Sequence, residues 1–248
     1  MNYDVVINGI KVSASYSKES IDEIFIPLLK KLSIIQKNKG KRILVMLSAP
    51  PGAGKSTLSS FLKYLSENTE GLNRITTIGM DGFHRYQNYL LSHNVIRDGV
   101  EMPMVKIKGA PITFDVDLLI ERVKRVAGGE ECGWPEYDRM KHNPVEDYIT
   151  VTGDIVLLEG NYLLLKEEGF SELKDYADLT IKIDADTDLL RKRLIERKML
   201  SGTDEKDAKA FVEFSDLYNA KLCINNSYDA DIILKLKDND EYELISEI

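Results

Sequence analysis

The stretch Arg42 to Thr57, RILVMLSAPPGAGKST, decides the fold. Ile43, Leu44, Val45, Met46 and Leu47 are an unbroken apolar run, as a strand covered on both faces requires. Pro50, Pro51, Gly52 and Gly54 then impose a turn. Leu58, Phe61, Leu62 and Leu65 follow at helical spacing. Strand, glycine-rich turn and helix make a phosphate cradle. Glycines let successive N–H groups face one anion, and the helix start adds donors and a favourable dipole. The pattern G-x-x-x-x-G-K-[ST] is met at Gly54, Lys55 and Ser56, while its first position is Ala49, which serves if its φ is negative. Pro51, Gly52, Ala53, Gly54, Lys55, Ser56 and Thr57 are the expected triphosphate-binding residues. Lys55 is placed to reach the β- and γ-phosphates and Ser56 to ligate Mg2+. The expected cofactors are therefore ATP, or a similar nucleoside triphosphate, and Mg2+.

Outward from this loop, strands and helices alternate. Further strands are expected over Ile75–Met80, Asp154–Glu159, Leu179–Ile183 and Asp231–Leu236, with an antiparallel edge strand near Glu241–Ile245. Helices are expected over Lys18–Lys37, interrupted or restarted at Pro27, and over Phe114–Val126, Thr187–Leu200 and Asp204–Asn219. The first 15 residues suit a short hairpin around Asn8-Gly9. A chain of 248 residues without repeats or low-complexity linkers reads as one α/β domain. It divides into an N-terminal extension over 1–40, an inserted acceptor-binding region over about 82–148 and a lid over about 187–210.

Composition narrows the partners. A formal net charge of −8 and no Lys/Arg-rich stripe argue against nucleic acid. No run approaches a membrane span, and the first residues lack the basic start of a secretory signal. Cys132 and Cys223 have no metal-binding spacing and suit a reducing, cytoplasmic compartment. A homodimer is an open option for assembly.

Two strand-end acids stand beside the loop. Asp81 ends the second expected strand, where α/β folds bind ligands, and can take the proton of an attacking hydroxyl. Gly82 is expected to give it access to substrate. Glu159 ends the apolar run Ile155–Leu158 and can hold Mg2+ with Ser56. Arg193 and Arg197, four apart on one helix face, can close over the phosphates as catalytic cations. The polar insertion supplies the expected substrate-binding residues His84, Arg85, Lys108, Tyr137, Arg139 and His142 beside Asp81, with Tyr137 or Trp134 available to stack on a flat substrate face.

The segments APPGAGKST (49–57), MDGFHRY (80–86), RDG (97–99), KGAPITFDVDLL (108–119), WPEYDRMKHNPV (134–145), LLEGNYLLL (157–165) and IDADTDLLRKRLIERK (183–198) resemble, in order and spacing, the uridine kinase, phosphoribulokinase and pantothenate kinase family of P-loop kinases. Within it the chain is most similar to the bacterial nucleoside-kinase-like, fructose-transport-associated sugar kinases. His84-Arg85 depart from the residues that follow the aspartate in many uridine kinases. The resemblance implies a mostly parallel five-stranded sheet of order 2-3-1-4-5, with helices on both faces. It also implies γ-phosphoryl transfer to a hydroxyl of a small metabolite, a sugar or polyol first. Uridine, another nucleoside or pantothenate stands second, and a regulatory NTPase without a small acceptor is the alternative from another class.

Overall fold

The computed structural model describes residues 1–7, 9–167 and 169–247. Its centre is a sheet of six strands, β1 (Ile43–Ser48), β2 (Thr76–Gly79), β3 (Ile155–Gly160), β4 (Leu179–Ala185), β5 (Ile232–Leu236) and β6 (Tyr242–Glu247). Across the sheet the order is β6-β5-β4-β1-β3-β2, and every pair is parallel except β5 with β6. The sixth strand, β6, is the antiparallel edge strand expected near Glu241–Ile245. Asp240 takes a left-handed φ of 64°, the Lys237 N–H donates to the Glu241 carbonyl at 2.8 Å, and the chain folds straight back onto β5.

β1 is buried at every position because both sheet faces are covered. The two-residue period of a strand sends its side chains alternately to two cores. Val45 and Leu47 join Phe25, Leu29 and Phe61 on one face. Leu44 and Met46 join Phe114, Trp134 and Tyr162 on the other. The first core is closed by helices α1 (Ile26–Lys39) and α2 (Lys55–Asn68). Pro27 sits in the first turn of α1 and withholds one N–H donor from a helical run that continues from the preceding turn. A wider π-helical turn, Ser20–Phe25, precedes it. Helix α3 (Val116–Ala127) belongs to the second core and is capped by Asp115, whose Oδ1 accepts from the Leu118 N–H at 3.3 Å. Helices α4 (Thr187–Leu200) and α5 (Leu217–Asn225) follow. The helix expected over 204–219 runs on from Glu205 to Asn225, with a π-helical stretch, Val212–Asp216, between Glu205–Phe211 and α5.

The insertion is more ordered than its irregular sequence suggests. It holds the antiparallel pairs Asn94–Arg97 with Val100–Pro103 and Cys132–Asp138 with Asn143–Val151. Trp134 anchors the second pair: its ring is fully buried against Phe83, and its Nε1–H donates to the Gly79 carbonyl at 2.8 Å. A ring spent this way does not stack on substrate. At the N-terminus, Asn2–Ile7 pairs with Ile10–Ser15, whereas Asn8 of the expected turn lies outside the described residues. Cys132 and Cys223 are both buried and free. Among the described residues, no helix is long and apolar enough to cross a membrane.

Candidate active site

Register places three elements side by side at the carboxyl end of the sheet. Leu47 and Gly79 flank Glu159 from opposite sides, and Ser48 pairs with Gly160. The loop between β1 and α2 turns through left-handed backbone at Gly52 (φ 88°) and Gly54 (φ 77°), conformations that side chains disfavour. Ala49 is not among the residues with positive φ, so its methyl group is tolerated where the motif has glycine.

Lys55 and Ser56 occupy the first turn of α2 and both meet Glu159. Ser56 Oγ donates to Glu159 Oε1 at 2.8 Å, and Lys55 Nζ stands 3.9 Å from Glu159 Oε2. Gly79 makes room for this carboxylate, since a Cβ there would lie 3.3 Å from Oε1. Burial raises the Glu159 carboxyl, Lys55 opposes the rise and Asp81 reinforces it. A hydroxyl, a carboxylate and an ammonium gathered at a helix N-terminus fit Mg2+ and the terminal phosphates of a nucleotide, because Mg2+ takes one or two protein oxygens and completes its shell with phosphate and water.

Asp81 lies just past β2, in the 3-10 turn Met80–Phe83. Its carbonyl accepts the His84 N–H at 3.2 Å and faces His84 Nδ1 at 2.9 Å. Burial alone would raise the Asp81 carboxyl, but His84, Lys55, Arg139 and Arg197 outweigh it and hold it below the usual carboxylate range. An ionised carboxylate beside a phosphate cradle is equipped to receive a proton. Gly82, expected to give access to substrate, also has a packing role. A Cβ there would collide with the Pro135 carbonyl, so the glycine admits the Cys132–Asp138 strand against the Asp81 turn.

The remaining expected residues separate. His84 lies under Asp81 with its ring 4.0 Å from Phe114 and 5.0 Å from Tyr137, and burial pushes its pKa down. Lys108 Nζ donates to Gln87 Oε1 at 2.7 Å and to the His142 carbonyl at 3.1 Å, 4.9 Å from the Tyr137 ring. Tyr137 lies against this group with its phenol pushed up to about 12 by burial. Arg139 contributes charge to both Asp81 and Glu159, and its Nε is buried without a partner. Arg85 turns to Asp115 at 3.7 Å and to the Tyr89 ring at 4.9 Å. His142 is exposed at a hairpin turn with φ 54°, and it is its carbonyl that meets Lys108. Arg97 pairs with Asp98 at 4.0 Å and covers the Tyr218 ring at 3.7 Å.

Arg193 and Arg197 do not act as one pair. Arg193 braces the phosphate loop, donating to the Gly52 carbonyl at 3.3 Å and ion-pairing with Asp240 at the β5–β6 turn. Arg197 lies in the field of Asp216, Arg139 and Asp81.

Three residues absent from the expected set join them. Asn161, Asp216 and Asn219 are buried, and each has a side-chain oxygen without a partner. Asp216 lies near Arg197 and Lys198. Asn219 lies beside Gly109, whose carbonyl accepts from the Tyr162 hydroxyl at 2.6 Å. Asp216 and Asn219 are three apart on adjoining helical turns, a spacing legible in sequence once the helix is known to turn toward the site.

The sequence profile described as "Phosphoribulokinase / Uridine kinase family" matches residues 44–239, well over half of the chain. The chain belongs to that family. It is a family of ATP-dependent phosphotransferases acting on hydroxyls of small molecules. The kinase is 40% identical over 247 residues to "Uncharacterized protein YggC" of Escherichia coli (strain K12), covering 99% of this chain and 100% of that one. It is 31% identical to "Putative uridine kinase C227.14" of Schizosaccharomyces pombe, over 79% of this chain and 83% of that one. Among solved structures, a "putative fructose transport system kinase" from Silicibacter sp. TM1040 matches with a TM-score of 0.70 and 27% identity, over 82% of this chain and 97% of that one.

Proposed function

We propose that this kinase uses Mg·ATP to phosphorylate a hydroxyl of a small polyhydroxylated metabolite, a sugar or polyol. One observation carries the reading: Arg139 Nε, Asn161 Oδ1, Asp216 Oδ2 and Asn219 Oδ1 are buried without protein partners, and Arg139 and Asp216 share the charged environment of Asp81 and Arg197. A buried polar atom left unpaired costs about 1–3 kcal/mol. A ligand dense in hydroxyls would satisfy both the donor and the acceptors. Aromatic faces suited to a nucleobase are scarcer, since Trp134 is buried and Tyr137 is flanked by His84 and Lys108. The likeness to the "putative fructose transport system kinase" supports the same acceptor class. A nucleoside acceptor is the second reading, supported by the 31% identity to the "Putative uridine kinase".

ATP supplies the γ-phosphoryl group. Lys55 and the turn from Pro51 to Thr57 would hold the triphosphate, and Ser56 and Glu159 would hold Mg2+, which when bound would supply neutralisation of the phosphate charge. Asp81 orients the acceptor hydroxyl and accepts its proton as the new P–O bond forms and the bond to the ADP oxygen breaks. Arg197 and Arg139 stabilise charge on the transferring group, and Lys108, Tyr137, Asp216 and Asn219 fix the acceptor. The test is ADP release across ketoses, aldoses, nucleosides and pantothenate, with the product identified by mass. A phosphorylated ketose or polyol supports the reading. ADP release no faster with any acceptor than without one would make the protein an NTPase of another kind.

A further inference from the structure

A cavity of about 190 Å³ opens from the reaction centre at Ser56, Asp81 and Glu159 and runs away from the cationic side of the site. It passes between α2 and the Cys132–Val151 hairpin and ends against the N-terminal hairpin. At about 30 Å³ per water that volume holds roughly six waters, room for an arm of a ligand rather than a lone ion.

Its lining has a definite chemistry. Ser59, Ser60 and Thr77 bring hydroxyls, Ile7 and Ile149 bring apolar surface, and Glu136 brings a carboxylate. Asp81, Glu136 and Glu159 give it three acids, and among the described residues no lysine or arginine lines it. Burial alone raises the Glu136 carboxyl, and no charged neighbour offsets it. At the Glu136 end, hydroxyl donors suit such a lining, whereas a phosphate or carboxylate would meet like charge with no cation beside it.

The far wall lies outside the catalytic domain as the family shares it. The family profile starts at residue 44, while Val6 and Ile7 come from the hairpin Asn2–Ser15. That hairpin is fixed in place. The Tyr3 hydroxyl pairs with Ser60 Oγ at 2.8 Å, and its ring meets Phe61 edge-on at 5.1 Å. Tyr3, Val5 and Ile7 are the half-buried positions of an alternating strand, so Ile7 faces the body of the protein and the cavity.

We propose that the N-terminal hairpin and Glu136 form a second acceptor subsite, which takes the uncharged, hydroxylated far end of the substrate and rejects acceptors that carry a phosphate there. The proposal rests on the reading of Asp81 as the acceptor-side residue. It makes the hairpin, outside the family-matched core, the element that sets acceptor length, and Glu136 the residue that sets its charge.

The experiment measures binding of D-fructose, D-ribulose and D-mannitol to the full chain with Mg·ADP by saturation-transfer NMR, with D-fructose 6-phosphate alongside. Ile7→Ser tests the hairpin wall, and Glu136→Gln tests the carboxylate with almost no change in shape. Val6→Lys, at a position 60% exposed, adds a positive charge at the hairpin wall without threatening the fold. The expected result is that at least one neutral polyol binds and the phosphate ester binds at least tenfold more weakly. Ile7→Ser and Glu136→Gln should each weaken the polyol about tenfold, the size of one lost contact or hydrogen bond, and Val6→Lys should relieve rejection of the ester. Mg·ATP affinity should stay within about twofold in all three. Absence of polyol binding, equal binding of the ester, or variants that bind like the parent would each overturn the subsite. Variant-sensitive binding without acceptor-stimulated ADP release would leave the subsite standing and sink the kinase reading; turnover with an unchanged acceptor KM in the variants would do the reverse.

Discussion

Gly82→Ala tests how the Asp81 turn is held. The new Cβ would fall well inside the 3.0 Å that real Cβ contacts respect, against backbone atoms of Pro135 and not a movable side-chain tip. Either the Met80–Phe83 turn or the Cys132–Asp138 strand must then yield, by about an ångström. The strand is tied down by the Trp134 bond to the Gly79 carbonyl, so the strain falls on both. Overpacking of this kind costs roughly 1–3 kcal/mol. At about 2–4 °C per kcal/mol for a chain of this size, the melting temperature should fall by roughly 2–12 °C. Turnover should suffer more, because a displacement of about 1 Å at a reacting group costs on the order of 10²-fold. The assay pairs calorimetric melting with kcat on the acceptor found in the screen, and nucleotide affinity serves as control because the phosphate loop is untouched. A variant that melts normally and turns over within about twofold of the parent would refute the close packing and the idea that it positions Asp81.

Arg193→Ala and Arg197→Ala should part company. Loss of the Arg193 bond to Gly52 should raise the ATP KM about 10- to 100-fold with little change in kcat, as loss of a charged hydrogen bond of about 1.5–3 kcal/mol implies. Arg197→Ala should lower kcat by about 10²–10³-fold and leave the ATP KM nearly unchanged; indistinguishable kinetics in the two variants would contradict the division. Burial pushes Lys108 down to about 8 from its ordinary 10.5. The unfolded chain therefore binds more protons between about pH 8 and 10.5, so this group makes stability rise with pH through that window. Urea midpoints of the parent minus those of Lys108→Met should climb across the window, and a flat difference would show that Lys108 is solvated like any surface lysine.

The phosphate loop, the strand-end acids and the alternation of strands with helices were legible because each leaves a local mark. Ile43–Ser48 is apolar at nearly every position, and Gly54-Lys55-Ser56 has a fixed spacing. The insertion was not legible in this way. Its Cys132–Val151 hairpin has a shifted register between Trp134 and Glu136, so no clean two-residue alternation marks it. The identical residue type of Arg193 and Arg197 hid their division, which depends on Asp240 and Asp216 arriving from opposite sides. Asp216 ends a π-helical turn and Asn219 follows it, and the wider turn breaks the 3.6-residue period by which a face is read.

The most direct test of the whole account is Asp81→Asn, which keeps the shape of the side chain and removes its capacity to take a proton. Two quantities are measured on the same preparation: Mg·ATP affinity by calorimetry and product formation with the best acceptor. General-base contributions run from about 10² to 10⁴, and a dissociative phosphoryl transfer places the loss at the low end, about 10²-fold. Removing a negative charge among Lys55, Arg139 and Arg197 should leave nucleotide affinity equal or slightly tighter. That pair of results is the account's prediction. Nucleotide affinity collapsing together with turnover would assign Asp81 to the metal or the fold, and full turnover in the variant would move the acceptor site away from Asp81 altogether.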